Sequence, residues 1–172
     1  MRRAPEIRLL LAILDQAYDH HSWHGTNLRG AIRRVSPAQA AWRPSPRRHN
    51  IWELVVHAAY WKYAVWRRLT GEARGSFRIK GSNWFRRPQG PGPQGLRKSR
   101  NAAARAWQSD KALLDEMHAS LRQAVGQLSP GRVHSKPRGS KVSNLALLSG
   151  VAAHDLYHAG QIQLLKRLST RA

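Results

Sequence analysis

The chain has no cysteine. Disulfides, thiolate catalysis and cysteine-ligated zinc are therefore all excluded, and any metal must be held by histidine or carboxylate. Acidic residues are scarce: nine Asp and Glu stand against 30 Lys and Arg, for a formal charge of +21. Such a balance favours contact with polyanions such as nucleic acid, an anionic membrane or an acidic partner; its plain alternative is a surface composition rich in arginine. Long apolar runs are missing too, and nothing approaches the roughly 18 residues of a membrane span. Met1-Arg2-Arg3 before Leu9–Leu14 mimics a secretory leader. That apolar run is short, however, and Asp15, Tyr18 and Asp19 follow where small residues should precede a cleavage site. The expectation is a soluble, cytoplasmic protein. Alternating strand patterns are also lacking, Phe77-Arg78-Ile79-Lys80 being the sole hint.

What is present is helical periodicity. A first long helix is expected from Pro5 to about His21, with Ile7, Leu10, Leu11, Leu14 and Tyr18 on one face. After Gly25 the pattern resumes through Leu28, Ala31, Ile32 and Val35, and Ser36-Pro37-Ala38-Gln39 opens a short helix that Pro44 and Pro46 stop. Asn50-Ile51-Trp52-Glu53 repeats the capping pattern and starts a second long helix, ending near Thr70 before Gly71. A third runs from about Asn101 to Leu128, with Trp107, Asp110, Leu114, Met117, Leu121, Ala124 and Leu128 facing inward. A fourth follows a Ser143 or Asn144 cap to about Ser169. Between the second and third lies a basic stretch, about 73–98, with five glycines, three prolines and no acidic residue. Connections of this length are commonly functional or crossover segments. All of residues 1–172 then read as a single all-α domain, a four-helix bundle whose long crossover lets the second and third helices point the same way.

The chemistry gathers in His154-Asp155-Leu156-Tyr157-His158. Histidines four apart share one helix face. Here that face also carries Leu147, Val151, Gln161, Leu165 and Leu168, the spacing of a core stripe. Buried polar groups need partners, at about 1–3 kcal/mol for each one left unsatisfied, and a shared metal satisfies two imidazoles at once. His57 falls inside the apolar stripe of the second helix, between Leu54 and Trp61, and is the candidate third ligand. Three protein ligands with one open position is the arrangement of catalytic zinc sites, and imidazole suits nickel, copper and iron(II) as well. Gln161, Tyr157 and Glu53 are candidates to orient the ligands, although Glu53 also fits a capping box. His24 could reach a pocket mouth where Trp23-His24-Gly25 breaks the helix. His49, His118 and His134 read as surface or loop residues.

Helix four, His154-Asp155-Leu156-Tyr157-His158-Ala159-Gly160-Gln161-Ile162, together with Trp42-Arg43-Pro44 and Ile51-Trp52-Glu53-Leu54-Val55-Val56-His57, resembles the DinB-like (DinB/YfiT) superfamily. The resemblance implies an up-down-down-up bundle, a divalent zinc or nickel ion on His57, His154 and His158, and often a homodimer. Its better-understood members are thiol-dependent transferases and isomerases, and others are called metal-dependent hydrolases. On that footing the chain is expected to be an enzyme whose metal activates a low-molecular-weight thiol, or water, against a small-molecule substrate, with Arg and Lys of the basic loops holding the thiol's acidic groups. Two other classes compete. Trp42-Arg43, Trp66-Arg67-Arg68 and Trp84-Phe85-Arg86-Arg87 interleave bases and aromatics as a nucleic-acid-binding module would, and a metal-bound scaffold without turnover fits the same histidines.

Overall fold

The computed structural model describes residues 4–87 and 100–170, so the basic stretch beyond Arg87 lies outside the described residues. Within them the chain is helical: α1 (Pro5–Tyr18), α2 (Leu28–Ala31), α3 (Pro37–Ala41), α4 (Ile51–Thr70), α5 (Arg100–Gly126) and α6 (Asn144–Ser169), with a 3-10 turn at Pro130–Arg132. No strand occurs among the described residues; Phe77–Lys80 forms bends, and Phe77 and Ile79 pack against the core. No helix among them is long and apolar enough to cross a membrane.

Local chemistry sets the boundaries. Asn50 and Glu53 exchange side-chain and backbone bonds in a full capping box, and Gly71 stops α4 at φ 83, a left-handed value that favours glycine. The Ser36 hydroxyl accepts from Gln39 N at 3.1 Å and caps α3. α1 ends at Tyr18, earlier than the periodicity predicts, because the amides of Asp19 and His20 both turn onto the Asp15 carbonyl and close the ladder.

α4 is the hub. Every residue from Ile51 to Ala59 is buried, so its first half is surrounded and not merely faced on one side. α5 lies along it: Trp52 Nε1 donates to Asp110 Oδ2 at 2.6 Å, and the Trp52 and Trp107 rings meet edge-on at 5.3 Å. Further along the same pair, Lys62 sits 3.4 Å from His118 Nδ1. His118 therefore corrects the surface reading: it is 5 % exposed, with its ring stacked on Tyr18 at 3.9 Å. From α1, Tyr18 donates to Asp115 and Asp15 accepts from Arg122 Nε at 2.7 Å.

The buried residues of α6 are Asn144, Leu148, Val151, Ala152, Asp155, His158, Ala159, Ile162 and Leu165. Of the expected stripe Val151, His158 and Leu165 are buried, whereas Leu147, His154 and Gln161 lie at its margin and Leu168 is 40 % exposed. The buried face is thus shifted toward Leu148, Ala152, Asp155, Ala159 and Ile162. Asp155 occupies the centre because Lys62 of α4 meets it there, and both side chains are wholly buried. The histidines consequently stand where the α4–α6 seam opens outward.

Candidate metal centre

His57 projects from α4, and His154 and His158 from successive turns of α6. His57 Nε2 lies 3.0 Å from His154 Nε2, and His158 Nε2 lies 2.9 Å from that same atom. Ligand atoms of all three fall within 4.8 Å of one another.

The other ring nitrogens fix what those Nε2 atoms are. His57 Nδ1 is 2.8 Å from the Asn83 carbonyl oxygen, and His158 Nδ1 is 2.7 Å from Gln161 Oε1. Carbonyl oxygens only accept, so both Nδ1 atoms carry the proton and both Nε2 atoms present lone pairs. His154 can place one proton between at most two such neighbours. At least one pair of lone pairs then faces across the centre unless a cation lies between them. The donor set thus fits a divalent ion: neutral imidazoles, each with Nε2 free, converging from two helices. His154 Nδ1 is buried without a hydrogen-bond partner among the described residues, so packing against Trp61 and His158 orients that ring.

Electrostatics agree with the tautomers. Burial holds His57 well below the ordinary imidazole range, at about 4, although the Asn83 bond pulls the other way. His154 falls to about 3 through burial and then through the neighbouring charges of His158, His57 and Lys62. Burial also lowers His158, against the pull of Gln161. Near neutral pH all three rings are neutral, as ligands must be.

The loop after α4 completes the centre. Asn83 adopts a left-handed φ of 61, tolerated by asparagine, and its side-chain oxygen accepts from Trp61 Nε1 at 3.0 Å while its carbonyl holds His57. Trp84 lies flat on His57 at 3.8 Å and on His49 at 3.6 Å, a three-ring stack. Two cavities flank it. One, of about 440 Å³, is walled by Trp61, Val65, Leu147 and Val151, with Arg68 as the only Lys, Arg, Asp or Glu among the described residues lining it. The other, of about 450 Å³, adjoins His158 and is lined by Leu54, Tyr157, Gln161 and Leu165.

The scan against family models now becomes decisive: the DinB superfamily model matches residues 20–162. The chain belongs to the DinB superfamily. No curated protein and no solved structure matches it.

For this DinB-superfamily chain the remaining expected residues fall out unevenly. Gln161 touches His158 directly. Tyr157 is 64 % exposed and only approaches the His158 ring edge-on at 5.2 Å. Glu53 is occupied by the α4 cap, by Arg43 at 2.8 Å and by His49 at 3.1 Å, and makes no bond to His57. His24 is exposed, pairs with Ser22 at 3.4 Å and lines neither cavity beside the triad. Asn83, Trp84 and Arg68 were not legible as site residues. Asn83 offered one signal, an asparagine following Gly81-Ser82, where a left-handed turn is cheapest. Trp84 and Phe85 read as stacking platforms for bases, yet Trp84 stacks on histidine and Phe85 is buried in the core.

Proposed function

We propose that His57, His154 and His158 hold one divalent ion, zinc or nickel, in an enzyme that activates a thiol, or alternatively water, against a small electrophile. The convergence of three Nε2 lone pairs carries the reading. A divalent ion held there supplies Lewis acidity, which lowers the pKa of a thiol or a water molecule. The protein's own groups do the rest. Asn83 and Gln161 keep the Nδ1 protons in place and fix the ring planes. Trp61, Val65, Leu147 and Val151 exclude water from one approach, and Arg68 offers a fixed cation to an acidic group of the substrate.

Among the described residues no carboxylate lines either cavity beside the histidines, which favours the thiol version. Hydrolysis generally wants a second base to take a proton from water, whereas a thiol loses its proton at much lower cost.

Residues 1–172 are proposed to form one domain, with α1, α4, α5 and α6 running up-down-down-up. Trp52 meets Asp110 and Lys62 approaches His118, so α4 and α5 advance together. Asp15 pairs with Arg122 and Tyr18 with Asp115, which sets α1 against α5. Val65 shares a cavity with Val151, and Leu54 shares one with Leu165, which sets α4 against α6.

Metal analysis of protein purified without a histidine tag tests the centre. About one zinc or nickel per chain is expected, with a higher melting temperature when metal is added and loss of both in His57→Ala, His154→Ala and His158→Ala. Absence of metal together with an unmoved melting temperature ends the proposal. A screen of low-molecular-weight thiols against electrophiles then separates transferase from hydrolase, and light scattering checks the homodimer that the resemblance implies.

A further inference from the structure

A second concave site adjoins the histidine pocket. The C-terminal half of α4 and the loop after it enclose about 500 Å³ between an aromatic floor, Tyr60, Tyr63 and Phe77, and a rim of Arg67, Arg68, Arg74 and Lys80. That volume lies within the usual range of small-molecule sites. The rings brace one another, Phe77 meeting Tyr60 at 5.4 Å and Tyr63 at 5.3 Å. Among the described residues no Asp or Glu lines the groove.

Unpaired cations are ordinary in so basic a chain, but these four converge on one aromatic-floored groove. Arg29, Arg43, Arg78, Arg87 and Arg122 each pair with an Asp or Glu. Among the described residues Arg67 and Arg68 reach only backbone carbonyls, those of Glu72 and Ala64, and Arg74 and Lys80 make no ion pair. Arg67 and Arg74 are also close enough to depress the Arg68 guanidinium, whose burial already does so. Like charges crowded over an apolar floor repel one another, and an anion placed among them relieves that cost. We infer that this groove binds a small anion carrying two or more negative charges on an aromatic body, with the charged group on Arg67, Arg68 and Arg74 and the ring on the aromatic floor. Trp61 and Arg68 are common to this groove and to the histidine pocket, so a ligand held here can extend a reactive group toward His57 and His154. That extension rests on the reading given above; the binding itself does not.

Calorimetry with phenyl phosphate, inorganic phosphate and phenol tests it on the full chain at low and moderate salt. Phenyl phosphate is expected to bind more tightly than either fragment and to weaken as salt rises. Arg67→Gln/Arg74→Gln should lower its affinity about tenfold or more, whereas Lys136→Gln/Arg138→Gln, on an exposed loop elsewhere, should not. The metal content of the groove variant stays at the wild-type value, so failure here is separable from failure of the metal centre. Equal binding of phenol, an unchanged affinity in the groove variant, or tighter binding of a single-stranded oligonucleotide at equal phosphate concentration would each overturn the assignment.

Discussion

The Lys62–Asp155 pair is the strongest wager this fold makes. Both side chains are wholly buried, Lys62 donating to Asp155 Oδ2 while its ammonium stands 4.7 Å above the Tyr18 ring. Among the described residues Asp155 Oδ1 has no hydrogen-bond partner, so the carboxylate is only half satisfied. Burial raises the Asp155 carboxyl to about 6 against the pull of Lys62, so the carboxylate is ionised at pH 8. Removing one partner strands the other in the core, at about 3–5 kcal/mol. Against a total stability of roughly 5–15 kcal/mol this is a large fraction. For a chain of this size it corresponds to about 6–20 °C in melting temperature.

The two single variants and their combination make the test. Lys62→Met and Asp155→Leu should each show that loss in urea unfolding at pH 8. Lys62→Met/Asp155→Leu should recover most of it, because both charges leave together and apolar groups of similar length fill the space. A double variant that loses the sum of the two singles refutes the reasoning: the residues would then contribute independently, through packing. Measurements on metal-free protein keep ligand stabilisation out of the comparison.

Other outcomes follow from the centre and its surroundings. Gln161→Leu removes the acceptor for the His158 Nδ1 proton; zinc affinity in a competitive-chelator titration should fall about 10–100-fold, and an unchanged affinity would detach Gln161 from the site. Trp84→Ala opens the stack on His57 and joins the cavities on either side. Metal stripping by a chelator should accelerate about tenfold because the apolar cover over the site controls access, and an unaltered rate argues that entry lies elsewhere. His118, buried and lowered to about 3, is neutral when folded and protonates near 6.5 when unfolded. Its stabilising contribution is complete above that pH and is lost as pH falls toward 3, at up to about 1.4 kcal/mol per pH unit. Denaturant midpoints of metal-free protein between pH 7.5 and 5 should therefore fall less steeply in His118→Gln than in wild type.

Periodicity located α4 and α6 because capping boxes, glycine stops and apolar spacing act over a few residues, and these put His57, His154 and His158 on the seam between two helices. It missed that the buried face of α6 extends over Asp155, since a lysine and an aspartate 93 residues apart in different helices cancel each other's charge only in three dimensions. Asp155 stood in plain sight between the two histidines, and Lys62 lay five residues after His57 in a run that otherwise reads as apolar. Each alone looks like a solvated charge, and a pattern of hydrophobicity therefore centred the buried face of the helix to one side of Asp155. His118 was misplaced for the same reason, as its burial depends on Lys62 and Tyr18 arriving from other helices. The loop residues were illegible on different grounds. Asn83 holds His57 through a backbone carbonyl, which every residue possesses, so its identity is marked only by tolerance of a left-handed turn and by the side-chain oxygen that accepts from Trp61. The consequence is specific: Asn83→Gly, which keeps the carbonyl and eases the turn, should retain zinc affinity, whereas Asn83→Val, which a β-branched side chain makes costly at φ 61, should lose it. If both variants bind zinc equally well, the loop does not hold His57 in place, and the Nδ1 proton must be fixed by something other than this carbonyl.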